Sequence, residues 1–259
     1  MGIVNVTPDS FSDGGLFYDA DAAVAHGREL IAEGAAILDI GGESTRPHSE
    51  PVGADEELRR VLPVIEALSG EDARISIDTN KAAVARRALE AGATIVNDIA
   101  AFRFDPDIAA VTADAGATCV LMHMLGEPRT MQVDPRYDEV VSDVKAFLEE
   151  RLAYATSEGI PEERIWLDPG IGFGKTLAHN LELIARLDEI VAIGRPVVFG
   201  ASRKSFLGKL TGRQVDERLA GTIASNIIAY EHGARVFRVH DVAPAVDALK
   251  VAAATVRPA

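Results

Sequence analysis

The chain has 259 residues, 47% of them apolar, a single cysteine and a formal net charge of −14 at pH 7. That length and apolar content suit one large α/β domain; the acidic balance argues against a nucleic-acid binder, which shows a basic stripe, and lone Cys119 excludes a disulfide framework or a multi-cysteine metal site. No run approaches the roughly 18 consecutive apolar residues of a membrane span and no signal peptide is evident, so a cytoplasmic protein without a membrane partner is expected.

Short apolar runs alternate with longer amphipathic stretches from end to end. Residues 2–6 read as a strand and 20–33, apolar at every third or fourth position, as a helix. Strand and helix then follow in turn: 36–40 and 55–68, 74–78 and 81–91, 94–98 and 106–115, 118–123 and 138–158. The series continues with 164–168 and 181–190, 196–200 and 217–232, and 235–239 and 244–254. The strands are near-continuously apolar, as parallel strands covered on both faces must be. Gly34, Gly92, Gly159 and Gly233 stand where helices should stop. Eight βα units without a break in composition predict a closed (β/α)8 TIM barrel, one domain over 1–259, in preference to a doubly wound open sheet.

The strand ends carry the polar residues. They read Asn5, Asp39, Asp78, Asn97 with Asp98, His123 and Asp168, followed by Gly200-Ala-Ser-Arg-Lys-Ser205 and Arg238-Val-His240-Asp241. Carboxyl ends of barrel strands converge on one mouth, where barrel enzymes do their chemistry. Any one of these side chains could serve only as a helix cap, and Asp98 and Asp241 keep that reading. Arg46, Lys204, Arg238 and His240 are the basic residues expected at the mouth. Barrels bind phosphate in the loops after strands seven and eight, which here hold Ser202-Arg-Lys-Ser205 and Arg238-Val-His240, so a di- or polyphosphate could be shared among several donors.

The glycine-rich segment Asp168-Pro-Gly-Ile-Gly-Phe-Gly-Lys175 fails two familiar patterns. A Walker loop needs Gly where Pro169 stands, and a dinucleotide fingerprint from Gly170 needs Gly where Lys175 stands. Its glycines instead suit close backbone approach to a flat ligand, with Phe173 as a ring contact. Two long polar loops, 7–15 with Phe11 and 41–53 with Arg46, fit lids over a substrate.

Together these motifs resemble the dihydropteroate synthases of the pterin-binding enzyme family. The resemblance spans nearly the whole chain: Asn5-Val-Thr-Pro-Asp-Ser-Phe-Ser-Asp-Gly, Asp39-Ile-Gly-Gly-Glu-Ser-Thr-Arg-Pro47, Ser76-Ile-Asp-Thr79, Asn97-Asp98, Met122-His-Met, the Asp168 to Lys175 segment, Ser202-Arg-Lys-Ser205 and Arg238-Val-His-Asp241. It departs at Met124-Leu-Gly-Glu127, where the family carries other polar residues. The resemblance implies condensation of 6-hydroxymethyl-7,8-dihydropterin diphosphate with 4-aminobenzoate to 7,8-dihydropteroate and pyrophosphate, through a pterin-stabilised cation.

It also implies roles. Asp78, Asn97, Met122, Asp168, Phe173 and Lys204 match pterin contacts. Asn5, Thr45, Arg46, Arg238 and His240 match the diphosphate side, with Asn5 the contact to Mg2+. Phe11, Pro47, Lys204 and Ser205 match the aminobenzoate pocket, near a helix that starts at about Ser205. Asp78, Lys204, Arg46 and Asp168 are the expected catalytic residues, and a homodimer inhibited by sulfonamides is implied. Three other barrels remain as readings: a pterin-binding methyltransferase, a Schiff-base aldolase using Lys204, and a non-catalytic pterin binder.

Overall fold

A computed structural model of the chain describes residues 1–7, 20–44 and 51–256. Eight parallel strands and their helices follow in the expected order. They are β1 (Gly2–Asn5), α1 (Ala20–Ala32), β2 (Ile37–Gly41), α2 (Ala54–Leu68), β3 (Arg74–Asp78), α3 (Ala82–Glu90), β4 (Ile95–Asp98), α4 (Asp107–Asp114) and β5 (Thr118–Met122). Then come α5 (Val140–Ser157), β6 (Ile165–Asp168), α6 (Leu177–Ala185), α7 (Leu187–Val191), β7 (Val198–Phe199), α8 (Ser205–Thr211), α9 (Leu219–Glu231), β8 (Val236–Phe237) and α10 (Val242–Val256).

Strands β1 to β6 form one sheet in chain order, and β7 pairs with β8. Two single bridges close the ring, Leu167 to Val197 between β6 and β7, and Gly2 to Val239 between β8 and β1. At the second seam the Ile3 N–H donates to the Val239 carbonyl at 3.1 Å, and the Val239 N–H to the Met1 carbonyl at 3.0 Å. The open-sheet alternative is thereby excluded.

The alternation of side chains along a strand explains how the same short runs build both floor and mouth. Ile37, Ile95, Val120 and Val198 form a buried cluster with Trp166 and Val236 packed on it. Two residues further along each of these strands stand Asp39, Asn97, Met122, Asp168, Gly200 and Arg238. The lower member of each pair plugs the barrel, and the upper member faces the mouth. The residues between point outward into the larger core under the helices, which includes Leu38, Ile40, Val96, Cys119, Leu121, Leu167 and Phe199.

Two expectations need correction. The helix expected over 181–190 is two helices, α6 and α7, broken at Arg186, whose backbone (φ −122°, ψ 29°) leaves the helical region. The strand expected over 36–40 spans Ile37–Gly41, which puts Asp39, read as a strand-end residue, in the middle of the strand and inside the barrel at 0% exposure.

Candidate active site

The centre of the mouth is a charged network built across four strands. Arg238, two residues above Val236, reaches over the barrel and donates from Nε to Asp39 Oδ2 at 2.5 Å and from an Nη to Asp78 Oδ2 at 2.7 Å. Asn97 Nδ2 donates to the same Asp39 oxygen at 3.1 Å. The other Asp39 oxygen, Oδ1, is buried with no hydrogen-bond partner among the described residues. A buried acceptor left open costs free energy unless something supplies a donor, so the network is built to receive one.

Burial sets the protonation of these groups. It pushes the Asp78 carboxyl up to about 7; Arg238 opposes that shift and neighbouring Asp39 adds to it. Burial works against the Arg238 charge, but Asp39 and Asp78 outweigh it and hold the guanidinium ionised. Asp168 at the end of β6 is likewise raised by burial, against the pull of Lys204. Lys204 is lowered by burial to about 8, with Asp168 resisting.

Lys204 caps the start of α8 and extends back over the mouth. Its Nζ donates to the Ile171 carbonyl and lies 4.6 Å from the centroid of the Phe173 ring. Phe173 packs on a buried apolar cluster of Ile99, Met122, Met124 and Met131. The mouth therefore presents an apolar wall beside carboxylates and amines, an arrangement suited to a flat, polar-edged ring. The turn after Asp168 comes close to β5 because Gly170 lies at φ 67°, where a Cβ would stand 1.8 Å from the His123 carbonyl oxygen.

On the β7 and β8 side, Ser202 Oγ and His240 Nδ1 are 3.0 Å apart, and Ser202 Oγ also accepts the His240 N–H at 3.2 Å. Ser205 opens α8 and is exposed. Asn5 closes β1, half-buried, and its side chain makes no hydrogen bond to another described residue. Phe11, Thr45, Arg46 and Pro47 lie outside the described residues. Asp78, Asn97, Met122, Asp168, Phe173, Lys204 and Arg238 thus converge, with Ser202 and His240 beside them.

The two acids that kept a capping reading hold loops. The Asp98 carboxylate accepts the N–H groups of Ala100 at 2.8 Å and Phe102 at 2.6 Å, bracketing Ala101 and Phe102 in left-handed backbone. Asp241 accepts Arg203 Nε at 2.9 Å.

Sequence reasoning gave no role to three groups. Asp39 was detectable as the residue two places beyond the inward Ile37. Lys175 and His123 form a buried pair, Nζ to Nδ1, at 2.9 Å. Lys81 donates to Glu57 at 2.6 Å and also bonds Glu43, tying the stem of the second loop to α2; its contacts span 24 and 38 residues and leave no local signal. Lys81, Glu57 and Glu43 line a cavity of about 340 Å3 that also touches Asp78. Among the described residues, no group of three or more His, Cys, Asp or Glu is disposed to hold a metal ion.

Known proteins match this chain along its length. A family model described as pterin binding enzyme matches residues 1–240. The dihydropteroate synthase of Haemophilus influenzae is 46% identical over 256 residues, covering 98% of this chain and 93% of its own. The Xanthomonas albilineans dihydropteroate synthase solved with 4-aminobenzoic acid gives a TM-score of 0.93 at 48% identity, covering 100% of this chain and 93% of that one. The same enzyme in complex with 7,8-dihydropteroate gives a TM-score of 0.90 at 46% identity, covering 100% and 93%.

Proposed function

The chain belongs to the pterin binding enzyme family, and from that premise we propose that it is a dihydropteroate synthase, joining 6-hydroxymethyl-7,8-dihydropterin diphosphate to 4-aminobenzoate with release of pyrophosphate. The observation that carries the reading is the Asp39, Asp78, Asn97 and Arg238 network, in a chain that dihydropteroate synthases match almost end to end.

A pterin offers adjacent N–H donors along its pyrimidine edge, and buried carboxylates and an amide are the matching partners. Asp78, Asn97 and Asp168 take that edge, Lys204 donates to a ring oxygen or nitrogen, and Met122 and Phe173 cover the faces. The bond from the pterin methylene to the diphosphate oxygen breaks, its electron pair leaving on pyrophosphate. The electron-rich ring then carries the positive charge, which the Asp78 carboxylate favours. The aniline nitrogen attacks the methylene, forms the C–N bond and loses a proton. Arg238 and His240, with Asn5, Thr45 and Arg46, take the diphosphate; Phe11, Pro47, Lys204 and Ser205 take the aminobenzoate.

Mg2+ binds through one or two protein oxygens together with substrate phosphates and water. Asn5 offers one amide oxygen at the rim and no carboxylate cage is present among the described residues, which fits an ion that arrives with the diphosphate. When bound it would neutralise charge on the leaving group.

The assay that tests this reading is Mg2+-dependent pyrophosphate release matched mole for mole by 7,8-dihydropteroate formed from both substrates; sustained release that incorporates no amine when the amine is present, or no release with both, would overturn it. Sulfonamides, which mimic aminobenzoate, should raise its apparent KM without changing kcat, and a noncompetitive pattern would move the amine elsewhere. No described helix is long and apolar enough to cross a membrane, in keeping with a cytoplasmic enzyme. A homodimer is the assembly we assign, through the apolar residues Leu219, Ile228 and Val251 left exposed on α9 and α10. Sedimentation at a monomer mass would contradict it.

A further inference from the structure

Lys175 is a buried amine beside the mouth to which the proposed reaction gives no task. It is 3% exposed, and burial drives its ammonium well below the ordinary lysine range, with Asp168 resisting. Burying an ammonium costs several kcal/mol in general, so a lysine retained there invites the question of what it holds.

The turn from Asp168 to Gly174 has left-handed backbone at Gly170, Gly172 and Gly174 and no sheet ladder to fix it. Instead, four successive carbonyls are each taken by a side chain. Lys204 Nζ donates to Ile171, Gln132 Nε2 to Gly172 at 2.5 Å, Lys175 Nζ to Phe173 at 3.0 Å, and the Tyr137 hydroxyl to Gly174 at 2.7 Å. Of these four donors Lys175 alone also bonds the residue after β5, placing Nζ 2.9 Å from His123 Nδ1. His123 is pushed down to about 2, by burial first and Lys175 second, so its ring is neutral, and in the tautomer that carries its proton on Nε2 the Nδ1 lone pair accepts from Lys175. The His123 N–H in turn donates to the Asp168 carbonyl at 3.0 Å. A closed circuit results: Asp168, the turn, Phe173, Lys175, His123 and back to Asp168.

We propose that Lys175 is a positioning residue for pterin binding, fixing the Phe173 ring and the Asp168 carboxylate relative to each other through the Phe173 carbonyl and His123. The inference rests on the pterin reading of the mouth. Lys175 touches no substrate in this scheme; it sets where two residues that do touch substrate stand. A methionine could fill the same volume without either hydrogen bond, which makes it the informative replacement.

The test uses full-length K175M and K175Q. Each is followed by thermal unfolding, by calorimetric binding of 6-hydroxymethylpterin without its diphosphate, and by steady-state kinetics. Wild-type binding of that probe establishes the slot separately, so a negative result in the variants falls on Lys175 alone. K175M should unfold cooperatively, bind the probe at least tenfold more weakly, and show a matching rise in KM for the pterin diphosphate. KM for 4-aminobenzoate should stay within twofold. If K175M does not fold, K175Q, which keeps an N–H for Phe173 but has too little reach to bond His123 as well, should bind the probe at least threefold more weakly. Wild-type probe affinity in either folded variant, an equal rise in both KM values, or failure of both variants to fold would overturn the proposal.

Discussion

Asp39 and Asp78 share one guanidinium, and that sharing decides what each can do. With Arg238 between them at 2.5 and 2.7 Å, Asp78 keeps a titratable charge close to neutrality. Replacing it by Asn preserves shape and removes that charge. D78N should keep the wild-type unfolding transition and lower turnover by at least about tenfold, as expected when one electrostatic contact to the transition state is lost; near-normal turnover would take Asp78 out of the mechanism. Asp78 loses its negative charge as pH falls below about 7, and Lys204 loses its positive charge as pH rises above about 8. kcat/KM for the pterin diphosphate should therefore peak between those values and fall on both sides, with the acid limb absent in D78N. A flat profile would show that neither group titrates in the step measured. Asp78, Asn97, Asp168, Lys204 and Arg238 were legible because each stands at or beside a strand end. Asp39 was visible as a residue and silent as a role, because only the barrel's curvature brings it to Arg238, 199 positions away.

At the scale of elements, all eight strands were legible because a parallel strand buried on both faces is a short apolar run, and the helices because their stops are glycines. The break at Arg186 was not, since the apolar spacing runs on through it. The short α8 was foreseen only as a start near Ser205, and seven residues carry too few turns to show a period. The turn after β6 gives the sharpest prediction at this scale. Gly170 combines left-handed backbone with a Cβ position 1.8 Å from a backbone oxygen, an atom that cannot swing away. Gly170→Ala should cost at least about 3 kcal/mol in urea unfolding and weaken pterin binding with it. Gly53, which has open space and ordinary backbone, is the matched control; equal effects at both would remove the turn from the account.

For the whole molecule, a chain of net charge −14 must admit a substrate bearing a diphosphate. The field of the protein opposes that approach, and only a few buried cations at the mouth invite it. Salt screens the distant surface charges more than the buried ones. Raising NaCl from about 10 to about 150 mM should therefore increase kcat/KM for the pterin diphosphate, by up to about threefold, and leave that for 4-aminobenzoate less changed; a steady fall with salt would mean that attraction at the mouth dominates. The two single-bridge seams have a different kind of consequence. β1 cannot acquire its second neighbour until Val239 exists. At a synthesis rate of roughly 5–20 residues per second, that is a delay of about 10–50 seconds. For that interval the nascent sheet has an exposed parallel edge, open to pairing with other chains. The seam that completes the catalytic mouth is thus also the last strand pairing that synthesis makes possible, and shielding that edge until the barrel closes should raise the yield of folded protein.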